Sequence, residues 1–198
     1  MIKKQLLQEW FPVAYDSKLL KEDREKNGGR LMLQGIIQKA NTKNQNKRIY
    51  PRGILEREIE NYQKAVRENR AVGELDHPES SSVSLKNVSH IVREMGWDGD
   101  NVVGRVEVLP TPQGKVLESL LEAGVTIGIS SRGVGSTEKT NEGVDQVQPD
   151  YQIICFDIVS EPSTPGAYLM PESRQYVDSP TMAKADRIFR ALNDIVRK

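Results

Sequence analysis

Cysteine, histidine and net charge are all scarce in this chain, and each scarcity closes off some chemistry. The lone cysteine, Cys155, excludes an intramolecular disulfide. It stands among Ile153, Ile154 and Phe156 with no histidine or lysine beside it, which reads as a buried, inert thiol in a reducing compartment. There are only two histidines, His77 and His90. Glu74 and Asp76 lie near the first, but no His-x-x-x-His spacing and no second cysteine complete a zinc set, so no metal and no cofactor is expected. The 28 Lys and Arg residues are matched by 28 Asp and Glu. Without a basic field, a nucleic-acid partner is disfavoured. No apolar run approaches the roughly 18–20 residues that cross a bilayer, and Met1-Ile2-Lys3-Lys4-Gln5 lacks the apolar core of a signal peptide, so no membrane partner is expected either.

What is present suits one domain with appendages, since 198 residues are enough for one substantial core. Asn27-Gly28-Gly29 reads as a turn leading into a strand over 31–38, in which Gly35 signals a bulge or a close approach. Leu55, Ile59, Tyr62 and Val66 recur at helical spacing after Pro51, predicting a helix over 51–68 with the proline in its first turn. Apolar and β-branched runs over 88–95 and 102–109 flank Trp97-Asp98-Gly99-Asp100-Asn101, the composition of a hairpin. A short helix over 113–123 follows, with Gly124 as its C′ residue. Strands over 127–131 and 151–160 are separated by a polar stretch, 136–150, that reads as a loop. The prolines at 162, 165 and 171 end regular structure, and Met182, Ile188, Phe189, Leu192 and Ile195 predict an amphipathic helix in the tail. The sum is an α+β fold: an antiparallel β-barrel or curled sheet with a few helices around it.

With two histidines, any imidazole general base is His77 or His90. His77 follows Gly73-Glu74-Leu75-Asp76 and precedes Pro78, in a short loop that can present a side chain to a cleft, whereas His90 sits mid-strand as an ordinary hydrogen-bonded histidine. Ile127-Gly128-Ile129-Ser130-Ser131-Arg132-Gly133 brings paired hydroxyls and glycines to the end of a strand. Strand alternation sends Ser130 and Ser131 to opposite faces, so at most one of them can meet His77. Asp157 is a carboxylate inside the apolar run Ile153 to Val159 and needs a buried partner. His77 is one such partner and Arg132 is another. A carboxylate, an imidazole and a hydroxyl make the Ser-His-acid combination, which geometry defines and chain order does not.

Gly73-Glu74-Leu75-Asp76-His77-Pro78 resembles the histidine motif of the prohead core protein proteases of T-even-like tailed bacteriophages, and Gly128-Ile129-Ser130-Ser131-Arg132-Gly133 resembles their serine motif. Asn46-Lys47-Arg48-Ile49-Tyr50-Pro51, Gly104-Arg105 and Asp157 followed by Pro162-Ser163-Thr164-Pro165 extend the resemblance from about residue 30 to about 170. It implies a protease domain over 31–170 with the fold of the herpesvirus assemblins, between an N-terminal segment 1–30 and a C-terminal linker and helix over 171–198. It also implies a serine endopeptidase that cuts scaffold and capsid polypeptides after Glu, with a hydrophobic residue two positions earlier and a small residue after the cut. The catalytic residues would be His77, Ser130 and Asp157, with Ser131 as the alternative nucleophile and Arg132 and Gly133 near the oxyanion or substrate. Such an enzyme would work in the host cytoplasm, inside the immature head, associating with itself or with head-core proteins. The competing reading is a non-catalytic structural or scaffold-binding module on the same fold.

Overall fold

The structure, a computed structural model, describes residues 17–172 apart from Glu79. The amphipathic tail predicted beyond residue 180 lies outside the described residues.

The first described element is a helix α1 (Ser17–Lys26), highly charged and without a continuous apolar stripe. Buried Leu20 anchors it, and buried Asp23 accepts the Met32 N–H through Oδ2 at 2.7 Å. Gly28 and Gly29, both at positive φ, turn the chain into strand β1 (Leu31–Lys39). At Gly35 an added Cβ would meet the Tyr168 carbonyl oxygen at 2.5 Å, and a bulge follows between Ile36 and Gln38, so both readings of that glycine hold. After a short strand β2 (Arg48–Ile49) comes helix α2 (Arg52–Arg67), with Pro51 at the N-cap, one position before the expected first turn. It buries Leu55, Ile59 and Tyr62, the last meeting Phe156 edge to face at 5.3 Å.

Strand β3 (Val72–Glu74) leads to the hairpin of β4 (Val88–Asp98) and β5 (Asn101–Val108), which turns at Gly99, φ +58°. Helix α3 (Pro112–Glu122) is capped by Thr111, whose hydroxyl accepts the Gly114 N–H at 3.0 Å. It ends as predicted on Gly124, φ +80°: the Gly124 N–H reaches the Leu121 carbonyl and the Val125 N–H the Leu120 carbonyl, a Schellman termination. Strand β6 (Gly128–Val134) pairs with β9 (Gln152–Val159). The stretch expected to be a loop holds two further strands, β7 (Thr137–Lys139) and β8 (Asp145–Val147). All three β7 residues are exposed, so no apolar alternation betrays it; pairing with β8, and of β8 with β2, creates the structure. A last strand, β10 (Met170–Pro171), returns to β1.

Five strands form one sheet in the order β10-β1-β5-β4-β3, and β6 with β9 forms a separate pair. Two isolated bridges span the seams, Leu75 to Ile158 in parallel and Gly128 to Tyr168 in antiparallel sense. The fold is therefore α+β, built on mainly antiparallel sheets, and among the described residues no continuous ladder closes them into a barrel. One apolar cluster, including Leu33, Val92, Val106, Leu117, Ile129 and Phe156, fills the interior. No helix among the described residues is long and apolar enough to cross a membrane.

Candidate active site

Strand register assembles the first half of the site. Ser130 lies directly opposite Asp157 in the β6–β9 pair, and Arg132 opposite Cys155, so all four share one face. Ser131 faces the other way, where its hydroxyl accepts the Gln38 amide N–H at 2.7 Å. The expected split of the two serines is observed.

Close approach of β3 supplies the second half. A Cβ on Gly73 would lie 2.0 Å from the Phe156 carbonyl oxygen and 2.5 Å from the His90 ring, so only glycine lets β3 lie this near β9. The Glu74 N–H then donates to Asp157 Oδ1 at 3.0 Å, and the Asp76 N–H to the Ile158 carbonyl at 2.8 Å. Asp76 adopts φ +69°, a left-handed turn that aspartate tolerates, and the chain folds back over Asp157. His77 Nδ1 stands 2.7 Å from Asp157 Oδ2, with the imidazole partly open to solvent.

Asp157 is fully buried and is bonded by four residues: His77, the Glu74 N–H, the Cys155 thiol at 3.2 Å and Arg132, through Nε at 2.8 Å and Nη2 at 3.3 Å. Burial alone pushes its carboxyl up, but the hydrogen bonds from His77 and Arg132, with the Glu74 N–H and the thiol behind them, outweigh it and hold the pKa at about 2. Both partners that the sequence offered to Asp157 are thus engaged together. Arg132 also reaches Glu74 Oε1 at 2.8 Å and the Ser80 carbonyl at 2.6 Å, so its guanidinium is committed to the acid and to the loop after His77. Glu74, desolvated as well, is kept below the usual carboxylate range by the Ser84 N–H and Arg132. Cys155 is fully buried, and burial next to the Asp157 charge pushes its thiol up, leaving it protonated and unreactive.

His90 is buried between Ser89 and Phe156. Its Nε2 lies 3.0 Å from the Phe156 carbonyl oxygen and must carry the proton, so Nδ1 accepts the Ser89 hydroxyl at 2.9 Å. Burial pushes its pKa down to about 4, against the pull of the Phe156 carbonyl and Asp157. It does not border the cleft that His77 lines.

A cleft of about 870 Å³ opens over the site, bordered by His77, by both Ser130 and Ser131, and by Arg48, Tyr151, Gly133 and Ser163. The Ser130 hydroxyl is 3.4 Å from that of Ser163. Among the described residues no hydrogen bond joins His77 to Ser130 or Ser131; the imidazole is tethered at Nδ1 and its Nε2 is left for another partner. No metal-binding group of three or more side chains occurs among the described residues.

A histidine held on a buried carboxylate beside a cleft serine is the arrangement found in serine hydrolases, and the profile of the prohead core protein serine proteases matches residues 12–177. The chain belongs to this family. It is 34% identical over 175 residues to the prohead core protein protease of Enterobacteria phage T4, covering 85% of this chain and 82% of that protein. The solved bacteriophage T4 capsid assembly protease has a similar fold, with a TM-score of 0.63 and 34% identity over 66% of this chain and 82% of that one. With the family comes a protease role in phage head maturation.

Two features of the site were not visible in the sequence. Glu74 reads there as an acidic neighbour of His77 that completes no metal set, yet it is the second anchor of Arg132. Ser163 reads as part of a proline-rich turn, yet its hydroxyl faces Ser130 from 33 positions away. Neither sits in a local pattern that periodicity could have revealed.

Proposed function

We propose that the chain is a serine endopeptidase that cleaves scaffold and capsid polypeptides inside the immature head, with Ser130 as nucleophile, His77 as general base and Asp157 as the acid that orients it. The observation that carries this reading is the His77–Asp157 hydrogen bond at 2.7 Å on the face and in the cleft where Ser130 lies. In the first step Ser130 Oγ bonds to the peptide carbonyl carbon while its proton passes to His77 Nε2. Asp157 stabilises the imidazolium. Collapse of the tetrahedral intermediate expels the amine, which takes the proton from His77, and water then releases the acyl group by the same route. Gly133 borders the cleft, and its backbone N–H is assigned as an oxyanion donor in this scheme. Since Nε2 contacts neither serine in the free protein, the Ser130–His77 hydrogen bond must form as substrate fills the cleft.

Cleavage after Glu, which the resemblance implies, is consistent with the charge of the cleft. Arg132 is neutralised by Asp157 and Glu74, while Arg48 borders the cleft, is exposed, and forms no ion pair with another described residue. The separation of His77 from both serines is what favours the competing reading of a non-catalytic module. Incubating the protein with a scaffold-like polypeptide and mapping fragments by mass spectrometry decides between them. Cuts after Glu that vanish in Ser130→Ala and His77→Ala but persist in His90→Ala are expected. Loss in Ser131→Ala with retention in Ser130→Ala would move the nucleophile, and no cleavage by the wild-type protein would favour the module.

A further inference from the structure

We propose that Ser163 donates its hydroxyl to the oxyanion formed when Ser130 attacks a peptide carbonyl, and that Gln38 holds Ser163 in place for this. The proposal rests on Ser130 being the nucleophile.

The turn carrying Ser163 is laced to β6 more tightly than a connecting loop requires. Pro162 occupies the space where a Gly128 side chain would be, since a Cβ there would lie 2.5 Å from its ring. The Ile129 N–H donates to the Ala167 carbonyl at 2.9 Å, and the Gln45 N–H to the carbonyl of Ser163 itself at 2.9 Å.

A buried amide then joins the two serine-bearing segments. Gln38 is 2% exposed and Thr164 is 1% exposed. Gln38 Oε1 accepts the Thr164 hydroxyl at 2.7 Å and the Lys39 N–H at 2.9 Å, which fixes the orientation of the amide. Its Nε2 donates to the Ser131 hydroxyl at 2.7 Å. One side chain thus ties the residue after Ser130 to the residue after Ser163. Removing a polar group from water costs free energy unless its bonds are made, and a network with every bond made is rigid. The distance between the Ser130 and Ser163 hydroxyls is therefore set by the network.

That distance, 3.4 Å, is long for a hydroxyl–hydroxyl hydrogen bond, which prefers about 2.7–2.8 Å. It suits a donor aimed at an atom just beyond Ser130 Oγ. When Oγ bonds to the carbonyl carbon, the carbonyl oxygen takes the negative charge one atom further along, on the cleft side where Ser163 lies. Ser163 thereby binds the intermediate better than the substrate, which raises kcat and leaves KM alone.

The test compares Ser163→Ala, Ser163→Thr and Gln38→Met with wild type on a peptide carrying a mapped cut site. Ser163→Ala should lower kcat by about 10²–10³-fold with KM within about threefold, the loss typical of one oxyanion donor. Ser163→Thr keeps a hydroxyl and should recover most of the rate. Gln38→Met, a positioning change, should lower kcat without touching KM. A peptide aldehyde, which adds to Ser130 to give a tetrahedral oxyanion, should bind Ser163→Ala more weakly by the same factor as kcat/KM. Binding of intact peptide to Ser130→Ala and to Ser130→Ala/Ser163→Ala should be equal. A Ser163→Ala enzyme with wild-type kcat, or one that loses peptide and aldehyde binding alike, overturns the proposal. Cleavage by Ser130→Ala would instead overturn the nucleophile assignment on which it rests.

Discussion

Acidification from neutral pH to about 4.5 should remove about 2.5 kcal/mol of stability through His90 alone. The imidazole is fully buried, donates Nε2–H to Phe156 and accepts the Ser89 hydroxyl, an arrangement that fits only the neutral ring. Protonation would bury a charge and set an N–H against a hydroxyl that already points its proton inward. Its folded pKa of about 4 lies below the ordinary 6.5, so the unfolded chain holds more protons between those values. The stability is fully present above pH 6.5 and is lost as pH falls toward 4. Asp157, held at about 2, belongs to another window: its contribution persists until pH drops below the ordinary carboxylate value of about 4. Urea unfolding of wild type and His90→Gln at the two pH values separates the terms, because glutamine can keep the bond to Phe156 and cannot be protonated. Wild type should lose about 2.5 kcal/mol and the variant less than about 1 kcal/mol. Equal losses, or a His90 ring seen by NMR to titrate above pH 6, would refute the reasoning.

Three further substitutions probe the supports of the site. Gly73→Ala places a methyl 2.0 Å from the Phe156 carbonyl oxygen, so it should cost about 3 kcal/mol in urea unfolding and displace His77; a cost under about 1 kcal/mol would contradict the packing. Arg132→Met leaves Asp157 and Glu74 buried without their shared cation, which should cost about 3–5 kcal/mol and move the acid-unfolding midpoint upward. Ser131→Ala strands the Gln38 amide and should cost about 1–3 kcal/mol, while in peptide cleavage assays it should be far more active than Ser130→Ala.

Much of the backbone was legible in local pattern. The 3.6-residue recurrence of Leu55, Ile59 and Tyr62 gives α2, the turn residues around Gly99 give the β4–β5 hairpin, and Gly124 ends α3 where a left-handed residue is needed. Patterns with few apolar positions failed. Helix α1 has Leu20 as its clearest buried anchor in a highly charged segment, and the three residues of β7 are all exposed, so in both cases tertiary partners stabilise what periodicity does not announce.

By itself the sequence determined which chemical groups exist and which way neighbouring side chains diverge. Two histidines limit the candidate bases, and strand alternation alone puts Ser130 and Ser131 on opposite faces. Only the tertiary structure decided which groups meet. The pairing of Ser130 with Asp157, the approach of β3 that Gly73 permits, and the sharing of Asp157 between His77 and Arg132 join segments up to 83 positions apart. Alternation is dictated by the stereochemistry of adjacent residues, so it can be read locally. Register and the approach of separate strands result from many contacts distant in sequence, each too weak to leave a signal of its own, and they exist only once the whole core has formed.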